Sequence, residues 1–143
     1  MYREWNKKLK RITFILLNPS TATKTEDDST ITRCIEYAYS WGYGYLAVVN
    51  LFALREPNPE TMKKKKHPIG SVNNYYIHWA VKHPKNSLTV AAWGNHGVHM
   101  SRSNKVKKLL TGVQFHCLKV TNKGEPNHPL YLNNKLRPTP YNF

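Results

Sequence analysis

The chain leaves a strand and turns at Leu16-Leu17-Asn18-Pro19-Ser20-Thr21-Ala22. The run before it, Ile12-Thr13-Phe14-Ile15-Leu16-Leu17, is apolar and β-rich and predicts a buried strand over about residues 11–17. Pro19 cannot donate to a sheet ladder and biases Asn18 away from helical angles, so the strand must end there. Asn, Ser and Thr side chains therefore follow a strand's carboxyl end, where open α/β sheets bind ligands. The alternative interpretation is a polar turn without a function.

The composition is that of a basic globular protein. In 143 residues there are 22 Lys and Arg against 8 Asp and Glu, a formal net charge of +14, and 40% of the residues are apolar. We predict one domain over residues 1–143, with irregular ends at 1–10 and 133–143. The charge predicts a polyanionic partner, with nucleic acid ahead of a membrane surface, and the alternative is a soluble protein that is simply basic.

Cysteine content and hydropathy bear on the compartment and on cofactors. Cys34 and Cys117 do not make a disulfide framework, and the charged N-terminal residues lack the apolar core of a signal peptide. No apolar run approaches membrane-spanning length. We therefore expect a cytoplasmic monomer with reduced thiols and no membrane contact. His96, His99 and Cys117 match no structural zinc spacing, so we expect no metal and no cofactor.

Strand-like and helix-like segments alternate along the rest of the chain. Periodicity predicts helices at about 29–41, 71–83 and 99–111, and apolar runs predict strands at about 45–54, 88–93 and 114–120. Asn50 lies inside the second apolar run, so its amide must find a hydrogen bond or face a ligand. The order βαβαβαβ predicts an α/β protein with a four-stranded parallel sheet and helices on both faces, a three-layer α/β/α sandwich.

Two further runs lie outside the predicted strands. The lysines Lys63, Lys64, Lys65 and Lys66 should be exposed, either as a solvated loop or where a phosphate backbone passes. Val72, Tyr75, Tyr76 and Trp79 share one face of the helix at 71–83, for which Ser71 is the expected cap. We expect this aromatic stripe to pack in the core rather than to stack on bases.

Polar residues collect at one edge of the predicted sheet. Asn18, the end of the Asn50 strand, Trp93-Gly94 and the loop that holds His128 all follow strand ends. Because the carboxyl ends of parallel strands meet at one edge, this coincidence indicates a binding site there.

Five segments resemble a bacterial and phage family catalogued as domain of unknown function 1643. They are Leu17-Asn18-Pro19-Ser20-Thr21-Ala22, Asp28-Ser29-Thr30-Ile31-Thr32-Arg33-Cys34, Val49-Asn50-Leu51-Phe52-Ala53-Leu54-Arg55, Ala92-Trp93-Gly94-Asn95-His96-Gly97 and His128-Pro129-Leu130-Tyr131-Leu132. The resemblance extends over nearly the whole chain, and the family carries no established activity.

The same segments, in the same order, are similar to the uracil-DNA glycosylase superfamily. Asn18-Pro19 matches the Asn-Pro of its G-I-N-P-G motif, Val48-Val49-Asn50 fits its L-L-N, and Trp93-Gly94 fits its W-G. Asn127-His128-Pro129-Leu130 is a shortened likeness of its H-P-S-P-L. The resemblance implies a uracil-DNA-glycosylase-like fold that hydrolyses the N-glycosidic bond of a pyrimidine flipped out of DNA.

The resemblance also implies roles for individual residues. Asn18 would hold the attacking water, Asn50 would pair with the Watson–Crick edge, and a neutral His128 would donate to a pyrimidine carbonyl. The remaining substrate contacts would come from Pro19, Ser20, Thr21, Trp93, Gly94 and Leu130. Leu130 would fill the gap in the base stack, and the lysines would hold phosphates.

Departures from the superfamily bear on the substrate. Asn18 stands where the fastest members have Asp, which implies slower or narrower hydrolysis. Ser20 stands where uracil-specific members place a Tyr that blocks the methyl group of thymine, so the pocket would admit thymine or 5-modified pyrimidines. The two residues between Pro129 and a superfamily-like leucine are missing. Asp28 and Arg33 have no counterpart and either brace the first helix or contact substrate.

Two other functions stay open at this point. One is a catalytically inactive DNA- or nucleotide-binding module that uses the same pocket, which the Asn at position 18 favours. The other is an enzyme that acts on free modified nucleotides, for which the basic residues would hold the phosphates of a small ligand.

Overall fold

Six strands of the described part of the chain pair into one mixed sheet. The computed structural model describes residues 1–19, 28–130 and 132–143. Its elements are β1 (Tyr2–Glu4), β2 (Arg11–Leu16), α1 (Ser29–Ser40), β3 (Tyr45–Asn50), α2 (Pro59–Lys63), α3 (Asn73–Val81), β4 (Asn86–Ala91), a 3-10 segment (Asn95–Ser101), α4 (Arg102–Leu109), β5 (Phe115–Cys117) and β6 (Thr139–Tyr141). The strand order is β1-β3-β2-β4-β5-β6.

The α/β class is confirmed, but the sheet is not all-parallel. Neighbours in the series β3-β2-β4-β5 pair in parallel, whereas β1 runs antiparallel to β3 and β6 antiparallel to β5. The prediction of a four-stranded parallel sheet is therefore wrong, because segments near both chain ends add edge strands.

The two added strands correct the expectation of irregular ends at 1–10 and 133–143. Tyr2 stacks on Tyr45 with ring centroids 5.5 Å apart, which holds β1 against the sheet. Tyr141 is 5% exposed, and its hydroxyl donates to the carbonyl of Gly124 at 2.9 Å. Each strand has three residues, too few for hydrophobic alternation to be visible in the sequence.

The sheet is covered on both faces by hydrophobic clusters. On one face α1 packs Ile31, Cys34 and Ala38 against Phe14 and Val48. On the other face Ile77 of α3 and Val106 of α4 pack with Ile15, Ala91 and Phe115. Burial of this apolar surface is the main contribution to folding. None of the described helices is long and apolar enough to cross a bilayer.

Helix α1 follows the prediction closely, with Asp28 as its N-cap. The Asp28 carboxylate accepts the N–H of Ile31 at 2.9 Å, which satisfies a free donor of the first turn. After the helix, Gly42 adopts a φ of 85°, a left-handed angle that glycine accepts without steric cost.

Helix α3 corrects two predictions. Its N-cap is Val72, without a side-chain cap, so Ser71 is not the capping residue. The residues it buries are Asn73, Ile77, Ala80 and Val81. The predicted core stripe faces outward instead: Val72 is 57% exposed, Tyr75 66%, Tyr76 54% and Trp79 50%. The reason is that Asn73 turns toward the sheet, where its amide donates to two backbone carbonyls of the β3 end.

The predicted helix at 99–111 divides into two pieces. The 3-10 segment ends in two consecutive left-handed residues, Met100 (φ 55°) and Ser101 (φ 53°), and α4 begins at Arg102. Such angles cost about 1–2 kcal/mol per residue for side chains other than glycine.

The connections after β2 and β4 leave the sheet on opposite faces. Helix α1, after β2, packs on one face, and α4, after β4, packs on the other. Adjacent parallel strands with diverging connections leave a crevice at their carboxyl ends, the place where open α/β sheets bind ligands.

Candidate functional site

A cleft of about 1430 Å³ opens at this crevice. Its wall includes the predicted site residues Asn18, Pro19, Asp28, Asn50, Trp93, Gly94, His128 and Leu130. Ser20 and Thr21, also predicted for the site, lie outside the residues that the structure describes. Arg33 and the run Lys63-Lys64-Lys65-Lys66 are described but are not part of the wall. The fold thus brings residues from distant positions in the chain to one edge of the sheet.

Asn18 follows β2, and its amide is held by backbone carbonyls. Its Nδ2 donates to the carbonyl of Leu54 at 3.4 Å and to that of Glu56. The N–H of Glu56 donates in return to the carbonyl of Pro19 at 3.2 Å. Because carbonyl oxygens only accept hydrogen bonds, these contacts fix which amide atom is nitrogen and leave Oδ1 as an acceptor.

Asn50 is the last residue of β3 and pairs in register with Leu16. Its backbone is firmly held, because Asn73 Nδ2 donates to the carbonyls of Asn50 (2.8 Å) and Leu51 (3.0 Å), and Arg102 Nε donates to the carbonyl of Leu51 (2.6 Å). Its side-chain Oδ1, by contrast, is buried and has no hydrogen-bond partner among the described residues. An orphaned buried acceptor costs about 1–3 kcal/mol.

His128 lies in the loop after β5 and is held in one tautomer. Its Nδ1 accepts the N–H of Leu130 at 3.2 Å, so the ring proton of the neutral form resides on Nε2. Burial lowers the pKa of His128, while the negative charge of Asp28 opposes that change. At neutral pH the ring is therefore uncharged and offers Nε2–H as a donor.

Gly94 fixes the loop of His128 against the end of β4. Its φ of 73° is left-handed, and its N–H donates to the carbonyl of Pro126 at 2.7 Å. A Cβ at this position would lie 3.9 Å from Cβ of His128. The close approach of the two backbones sets the position of the imidazole.

Trp93 is a core residue at the base of the cleft. It is 1% exposed, and its Nε1 donates to the buried carboxylate of Glu125 at 2.8 Å. A side chain at Gly97 would overlap the indole, so a glycine is needed there. The indole thereby anchors the loop that leads to His128, and a direct contact between Trp93 and substrate stays a prediction.

Asp28 and Arg33 both stabilise α1. Asp28 caps the helix and also lines the cleft. Arg33 Nη1 donates to the carbonyl of Leu132 at 3.0 Å, and its Nε lies 3.9 Å from the carboxylate of Glu36. These contacts account for both residues structurally, and a role in substrate binding stays a prediction for each. The same holds for Leu130 as a wedge, since it is half-buried in the cleft wall.

The lysine run begins at the end of α2. Lys63 Nζ lies 3.4 Å from the carboxylate of Glu60, and Lys64, Lys65 and Lys66 are exposed. Helix α2 was not predicted, although Asn58-Pro59 carries its start signals: the Asn58 side chain accepts two backbone N–H groups of the first turn. Contact between these lysines and phosphates stays a prediction.

Sequence reasoning missed other residues of the cleft wall. Asn127 lines the cleft, and its Oδ1 is a second buried acceptor without a partner in the described part of the chain. Its place directly before His128-Pro129 was the available signal. Arg3 and Arg55 bring positive charge to the cleft. In residues 1–19, 28–130 and 132–143, no group of three or more His, Cys, Asp or Glu could hold a metal ion.

Comparison with known proteins gives the family of the chain. The family described as protein of unknown function (DUF1643) matches residues 1–130, and the chain belongs to it. The comparisons with curated proteins and with solved structures found no match. The matched range contains all the cleft residues from Asn18 to Leu130 that are discussed above.

Proposed function

We propose that this DUF1643 protein is a nucleic-acid-binding hydrolase of the uracil-DNA-glycosylase type, which cleaves the N-glycosidic bond of a flipped pyrimidine in the cleft. Uracil, thymine and 5-modified pyrimidines are the candidate bases. The observation that carries the proposal is Asn50, which lines a cleft at the switch point of the sheet and whose buried Oδ1 has no hydrogen-bond partner among the described residues. A ligand whose N–H donates to this acceptor would explain why the described residues leave it unpaired.

Pyrimidine recognition follows from the chemistry of an amide. The edge of uracil or thymine alternates carbonyl, N–H and carbonyl, and an asparagine side chain carries one acceptor and two donors. Oδ1 of Asn50 would accept the ring N–H while its Nδ2 donates to a neighbouring carbonyl. Oδ1 of Asn127 offers a second acceptor in the same wall.

Hydrolysis needs a stabilised leaving base and a positioned water. As the C1′–N1 bond breaks, its electron pair moves onto the base, and Nε2–H of His128 donates to the pyrimidine carbonyl where negative charge grows. Oδ1 of Asn18 accepts a hydrogen bond from the water whose oxygen then bonds to C1′. An amide cannot take the proton of that water, so the proton passes to solvent, and the sugar must have developed cationic character before attack.

The same property of Asn18 favours a second candidate, a binding module without hydrolysis. The amide braces the loop at Leu54 and Glu56 and has no basicity. Such a protein would bind the base in the cleft and leave the glycosidic bond intact.

A base-release assay tests the proposal. Labelled single-stranded and duplex oligonucleotides containing uracil, a T·G mismatch or 5-hydroxymethyluracil are incubated with the protein and then treated with alkali. We expect strand breaks with at least one substrate, and a decrease in rate of about 10²–10³-fold in His128→Ala, the usual effect of removing one such donor. His67→Ala, at an exposed histidine away from the cleft, is the matched control and should retain the rate.

Two results would contradict hydrolysis of a base in a nucleic acid, and a third would contradict the role of His128. Salt-sensitive binding of the oligonucleotides without strand breaks would leave the binding module. Release from free nucleotides alone would move the activity to small substrates. A rate unchanged in His128→Ala would remove the imidazole from the mechanism.

A further inference from the structure

The outward face of α3 presents aromatic rings that the core does not use. Tyr75, Tyr76 and Trp79 are each at least half exposed and lie at helical positions i, i+1 and i+4. Tyr75 and Tyr76 meet edge to face with ring centroids 5.6 Å apart, and Trp79 meets His83 in the same way at 5.5 Å. We call Tyr75, Tyr76, Trp79 and His83 the aromatic face. Several exposed rings on one side of a helix are typical of an interaction site.

The sequence around the aromatic face contains many basic residues and no acidic ones. Residues 61–124 contain 12 of the 22 Lys and Arg, six of the seven His, and no Asp or Glu. Lys82 and Lys85 follow Trp79 and are exposed, and Lys82 Nζ reaches the carbonyl of Thr111 beyond the end of α4 at 3.4 Å. Helix α4, which contacts α3, adds the exposed Lys105 and Lys108. The aromatic face therefore lies in a region of positive charge.

We propose that the aromatic face and its flanking lysines bind a single-stranded nucleic acid, with bases stacked on Tyr75 and Trp79 and phosphates held by Lys82 and Lys85. Single-strand-binding proteins combine these two features: aromatic side chains that accept any base and a basic surface that follows the backbone. No residue of α3 lines the cleft, so this surface is distinct from the proposed hydrolytic site and does not depend on it.

Charge and chemistry favour this partner over two others. A second copy of the chain would bring another net charge of +14 to a basic surface, which electrostatic repulsion opposes. A membrane surface requires a broad aliphatic face to insert. Here only Val72 is aliphatic, and the polar Asn74 and His78 share the exposed side of the helix. A nucleic acid offers both bases that can stack on the rings and phosphates that attract the lysines.

The test measures the affinity of the full chain for a labelled oligothymidylate and for an abasic oligomer of equal length. The double variant Tyr75→Ala/Trp79→Ala should bind oligothymidylate roughly tenfold or more weakly, since each stacked base contributes measurably to affinity. Its affinity for the abasic oligomer should not change. Tyr39→Ala, which removes a ring that is 71% exposed on α1, is the matched control and should bind like the wild type.

A second pair of variants distinguishes the contribution of phosphate contacts to affinity from that of base stacking. Lys82→Ala and Lys85→Ala should each weaken binding to both oligomers and reduce the salt dependence by about one unit of slope. The proposal is overturned if the wild type binds both oligomers equally, or if the double variant binds oligothymidylate like the wild type. It is also overturned if the aromatic face is needed instead for anionic vesicles or for self-association measured by sedimentation.

The result of this binding test can be distinguished from the result of the base-release assay on the cleft. Binding that depends on Tyr75 and Trp79, together with no base release by the wild type, would disprove hydrolysis and support the aromatic face.

Discussion

Two asparagines at opposite edges of the sheet differ in how their amides are used. Asn86 begins β4 at the amino edge, where its Oδ1 accepts from Thr13 (2.9 Å) and its Nδ2 donates to the carbonyl of Val81 (3.0 Å) and to Thr89 (3.1 Å). Asn50 ends β3 at the carboxyl edge, and its buried Oδ1 has no partner within the described ranges. A satisfied amide contributes to folding, whereas an unsatisfied one lowers stability. This difference supports the proposal that a ligand binds at the carboxyl edge.

The largest effect on stability should come from the amino edge. Asn86→Ala leaves the hydroxyls of Thr13 and Thr89 without this partner, and both residues are buried at 1% and 3% exposure. We expect a loss of about 2–4 kcal/mol in the free energy of unfolding, measured by denaturant titration. Base release per folded molecule should stay unchanged. Asn134→Ala, at an exposed asparagine, is the control, and an equal loss in both variants would contradict the stabilising role assigned to the Asn86 amide.

A smaller, pH-dependent effect should come from His128 at the carboxyl edge. Burial lowers its pKa in the folded state below the 6.5 of an unfolded chain. Below pH 6.5 the unfolded state therefore binds more protons than the folded state, so stability should fall as the pH falls toward the lowered folded pKa. Protonation also turns Nδ1 into a donor that faces the N–H of Leu130. The rate of base release should therefore also fall as the pH falls.

Thermal unfolding across this pH range checks the effect of His128. His128→Gln should lose part of the acid sensitivity, and His96 and the Met1 amino group, whose pKa values burial also lowers, contribute to the part that remains. An identical pH dependence of the wild type and His128→Gln would contradict the assignment of a buried neutral imidazole.

The sequence predicted the central strands and the edge where the polar residues meet, because strand ends carry strong local signals. Pro19 ends β2, Gly94 follows β4, and parallel pairing then brings Asn18, Asn50 and His128 together. The edge strands β1 and β6 could not be predicted, since three residues show no periodicity and their pairing depends on distant partners. The aromatic face was misassigned because a row of rings at helical spacing has the same pattern whether it faces the core or solvent.

The hydrogen-bond partners of individual asparagine side chains could not be predicted from the sequence. Asn73 and Asn74 are adjacent and identical, yet one is buried against the carbonyls of Asn50 and Leu51 and the other is exposed. Only tertiary packing determines which is which. The orphaned acceptor of Asn127 is likewise visible only in three dimensions.

We propose that the fold keeps Asn50 for a ligand rather than for stability, and one variant tests this proposal directly. For Asn50→Ala we would measure the free energy of unfolding and the single-turnover rate of base release on the substrate that the wild type cleaves. We predict stability within about 1 kcal/mol of the wild type, because the variant removes a buried acceptor that has no partner among the described residues. The rate should fall by about tenfold to a hundredfold, the usual effect of losing contacts to a base edge. A stability loss as large as that of Asn86→Ala, with an unchanged rate per folded molecule, would contradict the claim.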